Sequence, residues 1–256
     1  MHPVIFSLGS ITLYTYGLFL ALGFISGLYI SRREAVLIGE NPDIVSDLVF
    51  YLIIFGVLGG RSFYILTNLD FFLKNPVNVF KIWEGGLVFY GGFIFAIITV
   101  WAYTKYKKIS LWKYADILAP GLAIGHAVGR IGCLMAGCCY GRECDLPWAI
   151  TFHDHGSLAP LDIPLHPTQI YEVIGNLLIF AALMLFRKKK QIDGQVFWVY
   201  VLLYGAMRFI IEIFRGDDRG AFIFGTVSVS QTIGIMMITA SVFMHFYLRR
   251  KKTKNA

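Results

Sequence analysis

Residues 195–214 read QVFWVYVLLYGAMRFIIEIF, an apolar run interrupted by charge. A helix needs about 20 mostly apolar residues to span the hydrocarbon of a bilayer, and this run meets that length. Tyr204, Arg208 and Glu212, with Arg215 just beyond, follow one another at spacings of four, four and three. At about 100° per residue they share an arc of roughly 80°. The stretch therefore predicts a membrane-spanning helix that is apolar on most faces and polar along one stripe.

Six further runs have the same character, near residues 11–30, 48–67, 86–104, 115–135, 168–186 and 228–248. The 256 residues are 57% hydrophobic and 15% charged, against roughly 25% charged in a soluble domain. Aromatics reach 16%, and Tyr and Trp favour membrane interfaces because one end of the ring is apolar and the other can be hydrated. The expectation is an all-α, polytopic membrane protein of seven transmembrane helices, a single membrane domain over residues 1–256 with small extracytoplasmic elaborations. No Lys or Arg precedes the first run, so it reads as a retained helix rather than a cleaved signal peptide. Lys and Arg in the loops divide 15 to 5 between alternate sides. Positive loops stay in the cytoplasm, which places the amino terminus outside and the carboxyl terminus inside. The same asymmetry accounts for the net charge of +7. With no basic, aromatic-interleaved soluble segment, nucleic acid is not an expected partner.

Arg61, Arg130 and Arg208 fall within predicted spans. A charge at mid-bilayer costs about 2.5–3.5 kcal/mol on insertion scales, so each calls for a partner or a function. Spans two, four and six run outward, which puts all three in the outer halves of their helices. Tyr16, Tyr90 and the segment HPTQIYE at 166–172, with His166, Gln169, Tyr171 and Glu172, reach the same level from spans one, three and five. Glu212 can neutralise Arg208 one turn away, leaving Arg61, Arg130 and Arg215 as net positive charge. A guanidinium binds phosphate through a planar fork and stays charged in apolar surroundings. A phospholipid head group is the expected anion. Glycines in GVLGGR at 56–61, in EGGLVFYGG at 84–92, and at 121, 125, 129, 132, 137 and 141 predict close approach between helices.

The segment GRIGCLMAGCCYG, residues 129–141, resembles the signature of the prolipoprotein diacylglyceryl transferases. TYGLFLALGF at 15–24, GGR at 59–61, WEGGLVFYGG at 83–92, ADILAPGLAIGHAVGR at 115–130, HPTQIYE at 166–172 and YGAMRFIIEIFR at 204–215 resemble further blocks of that family in the same order. The resemblance implies a reaction in which the lipobox cysteine thiol of a prolipoprotein attacks the glyceryl carbon of phosphatidylglycerol, forming a thioether and releasing glycerol phosphate. It implies no metal and no organic cofactor. The implied location is the bacterial cytoplasmic (inner) membrane, with the active site toward the extracytoplasmic side, among membrane lipid. By the same resemblance Arg130 binds the phospholipid, Tyr16 and Gly141 occupy essential positions, and Tyr204, Arg208 and Glu212 belong to the functional stripe. Arg61 joins the phosphate site by depth, and Arg215 by its place on the stripe.

Three positions depart from the family pattern: Tyr90 where His is frequent, Cys133 where Asn is frequent and Cys138 where Glu is frequent. His166 is the substitute base, since an imidazole with a pKa near 6.5 can accept a thiol proton at neutral pH; alternatively it orders the turn before Pro167, and a positive site lowers the thiol pKa with no dedicated base. Cys133, Cys138, Cys139 and Cys144 lie within twelve residues. An oxidising compartment favours one or two disulfides bracing the signature loop, because the spacing lacks the paired separation usual for zinc ligands. Two other functions stay open: a phospholipid-processing paralogue with another acceptor, and an anion transporter built on the intramembrane arginines.

Overall fold

The computed structural model describes residues 2–8, 11–217, 222–223 and 227–255. Strands β1 (Val4–Leu8) and β2 (Ile11–Tyr14) pair antiparallel ahead of helix α1 (Thr15–Leu37). The β-branched and aromatic residues of ITLY suit a strand better than a helix, which moves the helix start four residues beyond the predicted 11. Helices α2 (Pro42–Thr67), α3 (Leu69–Lys74), α4 (Phe89–Tyr106), α5 (Leu111–Ala136), α6 (Thr168–Phe186) and α7 (Gln195–Glu212) follow. The short strands β3 (Phe222–Ile223) and β4 (Val227–Ser228) then lead into α8 (Val229–Asn255).

Seven of these helices have 18 residues or more. Five of them, α2, α5, α6, α7 and α8, are both long and apolar enough to cross a membrane. In α1 and α4 glycines, tyrosines and basic residues dilute the apolar run. The side chains of 251–255 and the whole of Arg219, which entered the loop-charge count, lie outside the described residues.

The chain packs as two compact units, residues 1–31 with 115–256 and residues 32–114. Both boundaries fall inside helices, α1 and α5, where no linker composition could mark them. In the smaller unit α2 is capped by Asn41, whose side chain accepts from the Asp43 amide, with Pro42 pre-set for the first turn. Gly59 and Gly91 bring α2 and α4 into backbone contact; a Cβ at Gly59 would lie 2.6 Å from the Gly91 carbonyl.

In the larger unit α1 and α5 meet along a glycine seam. A Cβ at Gly23 would lie 2.8 Å from the Gly125 carbonyl, and one at Gly27 would lie 2.8 Å from the Gly121 carbonyl. The polar residues that interrupt α5 are each matched by a neighbour. Asp116 accepts from the Gly194 and Phe197 amides at 2.8 Å and so caps the start of α7, with Lys190 at 2.9 Å. His126 Nδ1 is 3.2 Å from the Tyr200 hydroxyl. Arg130 pairs with a carboxylate on α6. The segment between α5 and α6 packs its own small core of Phe152, Ala159 and Leu165 against Leu134, Tyr140, Ile150, Leu161 and Ile163. It is a folded element rather than an open loop.

Candidate active site

The larger unit gathers its charge on one carboxylate. Glu172, in the second turn of α6, is fully buried and meets three guanidiniums. Arg130 Nε lies 2.5 Å from its Oε2, while Arg208 Nη1 and Arg215 Nη1 lie 3.2 and 3.3 Å from its Oε1. Arg208 also reaches Glu212 Oε2 at 2.9 Å and donates to the Ser230 hydroxyl at 3.1 Å. Arg215 holds Asp217 in a two-point contact at 2.7 and 2.8 Å. Ser228 donates to Glu212 at 3.0 Å. Burying so much charge is tolerable only because every ion here is paired.

Of the expected stripe, Tyr204, Arg208 and Glu212 lie on α7 and Arg215 lies three residues past its end, and the charge balance differs from the expected one. Arg130, Arg208 and Arg215 face Glu172, Glu212 and Asp217, so the cluster is neutral where a net positive pocket was expected. The groove on α6 and α7 is shallow, about 420 Å³, and apolar, lined by Tyr171, Ile174, Gly175, Leu178, Met207 and Ile210. Tyr204, one turn before Arg208, stacks on His126 at 5.2 Å and on Tyr200 at 5.8 Å.

Gly141 is the junction of three chain segments. Its amide donates to the His166 carbonyl at 3.0 Å, and its residue forms an antiparallel bridge with Arg215. The Arg142 amide donates to the Phe214 carbonyl at 2.9 Å. A Cβ at Gly141 would lie 2.5 Å from the His166 carbonyl and 2.8 Å from that of Phe214. Only hydrogen fits, and this junction sets Arg215 beside the end of α5.

His166 is buried, its Nδ1 3.2 Å from the Tyr171 hydroxyl, which in turn accepts from Trp148 Nε1 at 2.8 Å. An indole nitrogen can only donate. His166 is thereby tied through Tyr171 to Trp148 in the outer framework. Burial, and then the Arg142 charge, hold its pKa below the ordinary value.

Tyr16 opens α1 and is well exposed; its backbone packs against Gly132, where a Cβ would stand 3.2 Å from the Tyr16 carbonyl. Arg61 and Tyr90 belong to the smaller unit. The Arg61 guanidinium is nearly buried and is spent on carbonyls: Nε on Val79 at 3.1 Å, Nη1 on Gly85 and Gly86 at 2.8 and 3.3 Å, and Nη2 on Asn78 and Lys81. Its plane also lies over Tyr64 and Phe72. Tyr90 is half exposed, its ring edge-on to Phe89 at 5.9 Å.

Cys133, Cys138, Cys139 and Cys144 are free thiols in the structure, without the expected disulfide bracing. The sulfurs of the first three instead lie within 4.8 Å of one another. The helix end brings them there: Gly137 and Cys139 both take left-handed backbone, φ 72° and 64°, folding two consecutive cysteines back toward the last turn of α5. Glu172 was placed at this level by the sequence without a role; the signal for its role is a lone carboxylate in an apolar span.

These features define a helical membrane protein with a buried arginine–carboxylate cluster beside a thiol triad. A profile of the prolipoprotein diacylglyceryl transferase family matches residues 3–247. The phosphatidylglycerol--prolipoprotein diacylglyceryl transferase of Geobacter sulfurreducens is 37% identical, over 98% of this chain and 97% of its own. The enzymes of the same name from Clostridium tetani and Finegoldia magna are 36% and 32% identical, covering 95% and 100% of this chain and 96% and 99% of theirs. The chain belongs to the prolipoprotein diacylglyceryl transferase family, and it is a transferase.

Proposed function

We propose that the protein transfers the diacylglyceryl group of phosphatidylglycerol to the lipobox cysteine thiol of a prolipoprotein, at the outer face of the bacterial inner membrane. The observation that carries this reading is Arg130. Its Nε meets Glu172 Oε2, and its Nη edge, with Nη1 4.0 Å from Cys133 Sγ, carries its remaining donors. Those donors can meet a head-group phosphate at the depth where a lipid presents one. Attack of the acceptor sulfur on the glyceryl carbon forms a carbon–sulfur bond. The carbon–oxygen bond breaks, and its electron pair leaves with glycerol phosphate. The phosphate gains charge during that step, so a guanidinium fixed beside it stabilises the transition state more than the bound lipid.

Arg208 and Arg215 support the site by holding Glu172, and through it Arg130, in one place; Glu212 and Tyr204 complete the same face of α7. The apolar groove along α6 and α7 supplies a surface for acyl chains. Arg61 is better read as the tie of the outer segment 76–86 than as a phosphate ligand, because five carbonyls already use its donors. Gly141 acts by admitting the His166 and Phe214 backbones, and His166 as a framework residue. Seven crossings, with the amino terminus outside and the carboxyl terminus inside, follow from the seven long helices and the charge asymmetry of the loops. The test is direct: purified protein, labelled phosphatidylglycerol and a lipobox peptide should give a thioether-linked lipopeptide and glycerol phosphate. A Cys→Ser peptide should give neither, and no product from the cysteine peptide would overturn the reading.

A further inference from the structure

The reaction needs the acceptor as a thiolate, since the thiol form is a poor nucleophile. His166 Nδ1 lies against the Tyr171 hydroxyl, and Tyr90 belongs to the smaller unit. Beside Arg130, however, lie three sulfurs within 4.8 Å of one another. We propose that Cys133, Cys138 and Cys139 form a three-thiolate site for a thiophilic divalent ion, zinc, whose open fourth position takes the acceptor cysteine and holds it as the thiolate that is alkylated.

The donor set fits. Zinc binds thiolates at about 2.3 Å, so a tetrahedral ion holds its sulfurs about 3.8 Å apart, which side-chain rotation can reach from the present spacing. The backbone that carries the ligands is already fixed. Thr168 Oγ1 donates to the Cys139 carbonyl at 2.7 Å and Gln169 Nε2 to the Cys138 carbonyl at 2.9 Å, both from fully buried side chains in the first turn of α6. Cys139 holds a left-handed φ of 64°, a conformation non-glycine residues adopt rarely and only where the surroundings enforce it. Arg130 Nη1 lies 4.0 Å from Cys133 Sγ, a donor that favours the thiolate form there. Three protein ligands with one position open is the arrangement of a catalytic rather than a structural zinc site.

The step balances. The acceptor thiol loses its proton to solvent as its sulfur enters the fourth position, because a thiol coordinated to zinc is deprotonated. The sulfur lone pair attacks the glyceryl carbon, and the carbon–oxygen pair departs on glycerol phosphate. The thioether product, a weaker ligand than a thiolate, then leaves the metal. No redox change occurs.

This inference rests on the transferase reading, and its test separates the two. Full-length protein in detergent, reduced and kept anaerobic, is titrated with Co(II) as a spectroscopic stand-in for zinc. One equivalent should raise a thiolate-to-metal charge-transfer band, absent from Cys133→Ser, Cys138→Ser and Cys139→Ser and retained in Cys144→Ser. A lipobox peptide should shift that band, and its Cys→Ser counterpart should not. Chelation should abolish transfer, and Zn(II) should restore it. Should the serine variants fail to fold, the unmutated chain suffices: Zn(II) should shield Cys133, Cys138 and Cys139, but not Cys144, from alkylation read by peptide mass. Absence of the band and of the shielding, an unmoved band on peptide addition, or a disulfide among the three in protein purified without reductant would overturn the site. Full transfer by chelated protein would overturn it while leaving the transferase reading intact. A peptide-shifted band without any transfer would retain the metal–thiol site and overturn the transferase reading.

Discussion

Glu172 is fully buried between Arg130, Arg208 and Arg215, and it is the only carboxylate that all three guanidiniums share among the described ion pairs. Removing its charge strands arginines in an apolar interior. Glu172→Gln should cost about 3–5 kcal/mol, read as a lower melting temperature in detergent. Adding Arg130→Ala should recover part of that loss, because the two changes share one interaction and do not add. Arg130→Ala alone should leave the fold standing, since Glu172 keeps Arg208 and Arg215. It should lower transfer by about 100- to 1000-fold, the usual loss for one preorganised donor. Arg130→Lys should rescue little, because an ammonium lacks the planar fork. The check is labelled diacylglyceryl transfer by amounts of protein matched for folded content; near-normal rates in both variants would refute the role. His166 gives a pH signature. Burial and Arg142 depress its pKa in the folded state, so below the unfolded value of about 6.5 the unfolded chain binds the proton more readily. Stability is therefore full above that pH and is lost as pH falls through it. His166→Gln should flatten this part of the melting-temperature profile.

At the scale of elements, the glycine seams decide how closely helices approach. Hydrophobicity draws no helix to another within lipid, so packing contacts and buried polar pairs must do it. Gly27→Val should force α1 from α5 and destabilise by about 1–3 kcal/mol, as other overpacking changes do. The Gly121 carbonyl, 2.8 Å from the added Cβ, is backbone and cannot rotate aside. Gly141→Ala tests a different joint. Its Cβ would enter the space between the His166 and Phe214 carbonyls, shifting Arg215 relative to Glu172. The expected outcome is a loss of transfer larger than the loss of stability, measured on the same detergent preparation. Equal activity at unchanged stability would show that the junction does not set the site.

At the scale of the whole molecule, the loop charges should set topology. A cytoplasmic reporter fused near Lys252 should be active and a periplasmic one silent; the reverse would overturn the orientation. The membrane class was legible from composition and from apolar runs alone, because the hydrocarbon demands both length and apolarity locally along the chain. The seven long helices overlap the expected runs, and the α7 stripe came from a fixed angular step between residues that no distant contact alters. Three things were not legible. The neutrality of the charged cluster depends on Glu172 and Asp217, which join Arg130, Arg208 and Arg215 only when α5, α6 and the end of α7 are packed. The spending of Arg61 on loop carbonyls depends on how residues 76–86 fold back over α2. The meeting of three sulfurs is not in the cysteine spacing: two left-handed residues after the end of α5, Gly137 and Cys139, with Thr168 and Gln169 bonded to the Cys139 and Cys138 carbonyls, turn Cys138 and Cys139 back toward Cys133. Sequence by itself determined what each helix must be in lipid, since that is a property of neighbouring residues. Only the tertiary structure decided which charges cancel and which sulfurs meet, since those pairings join residues far apart in the chain.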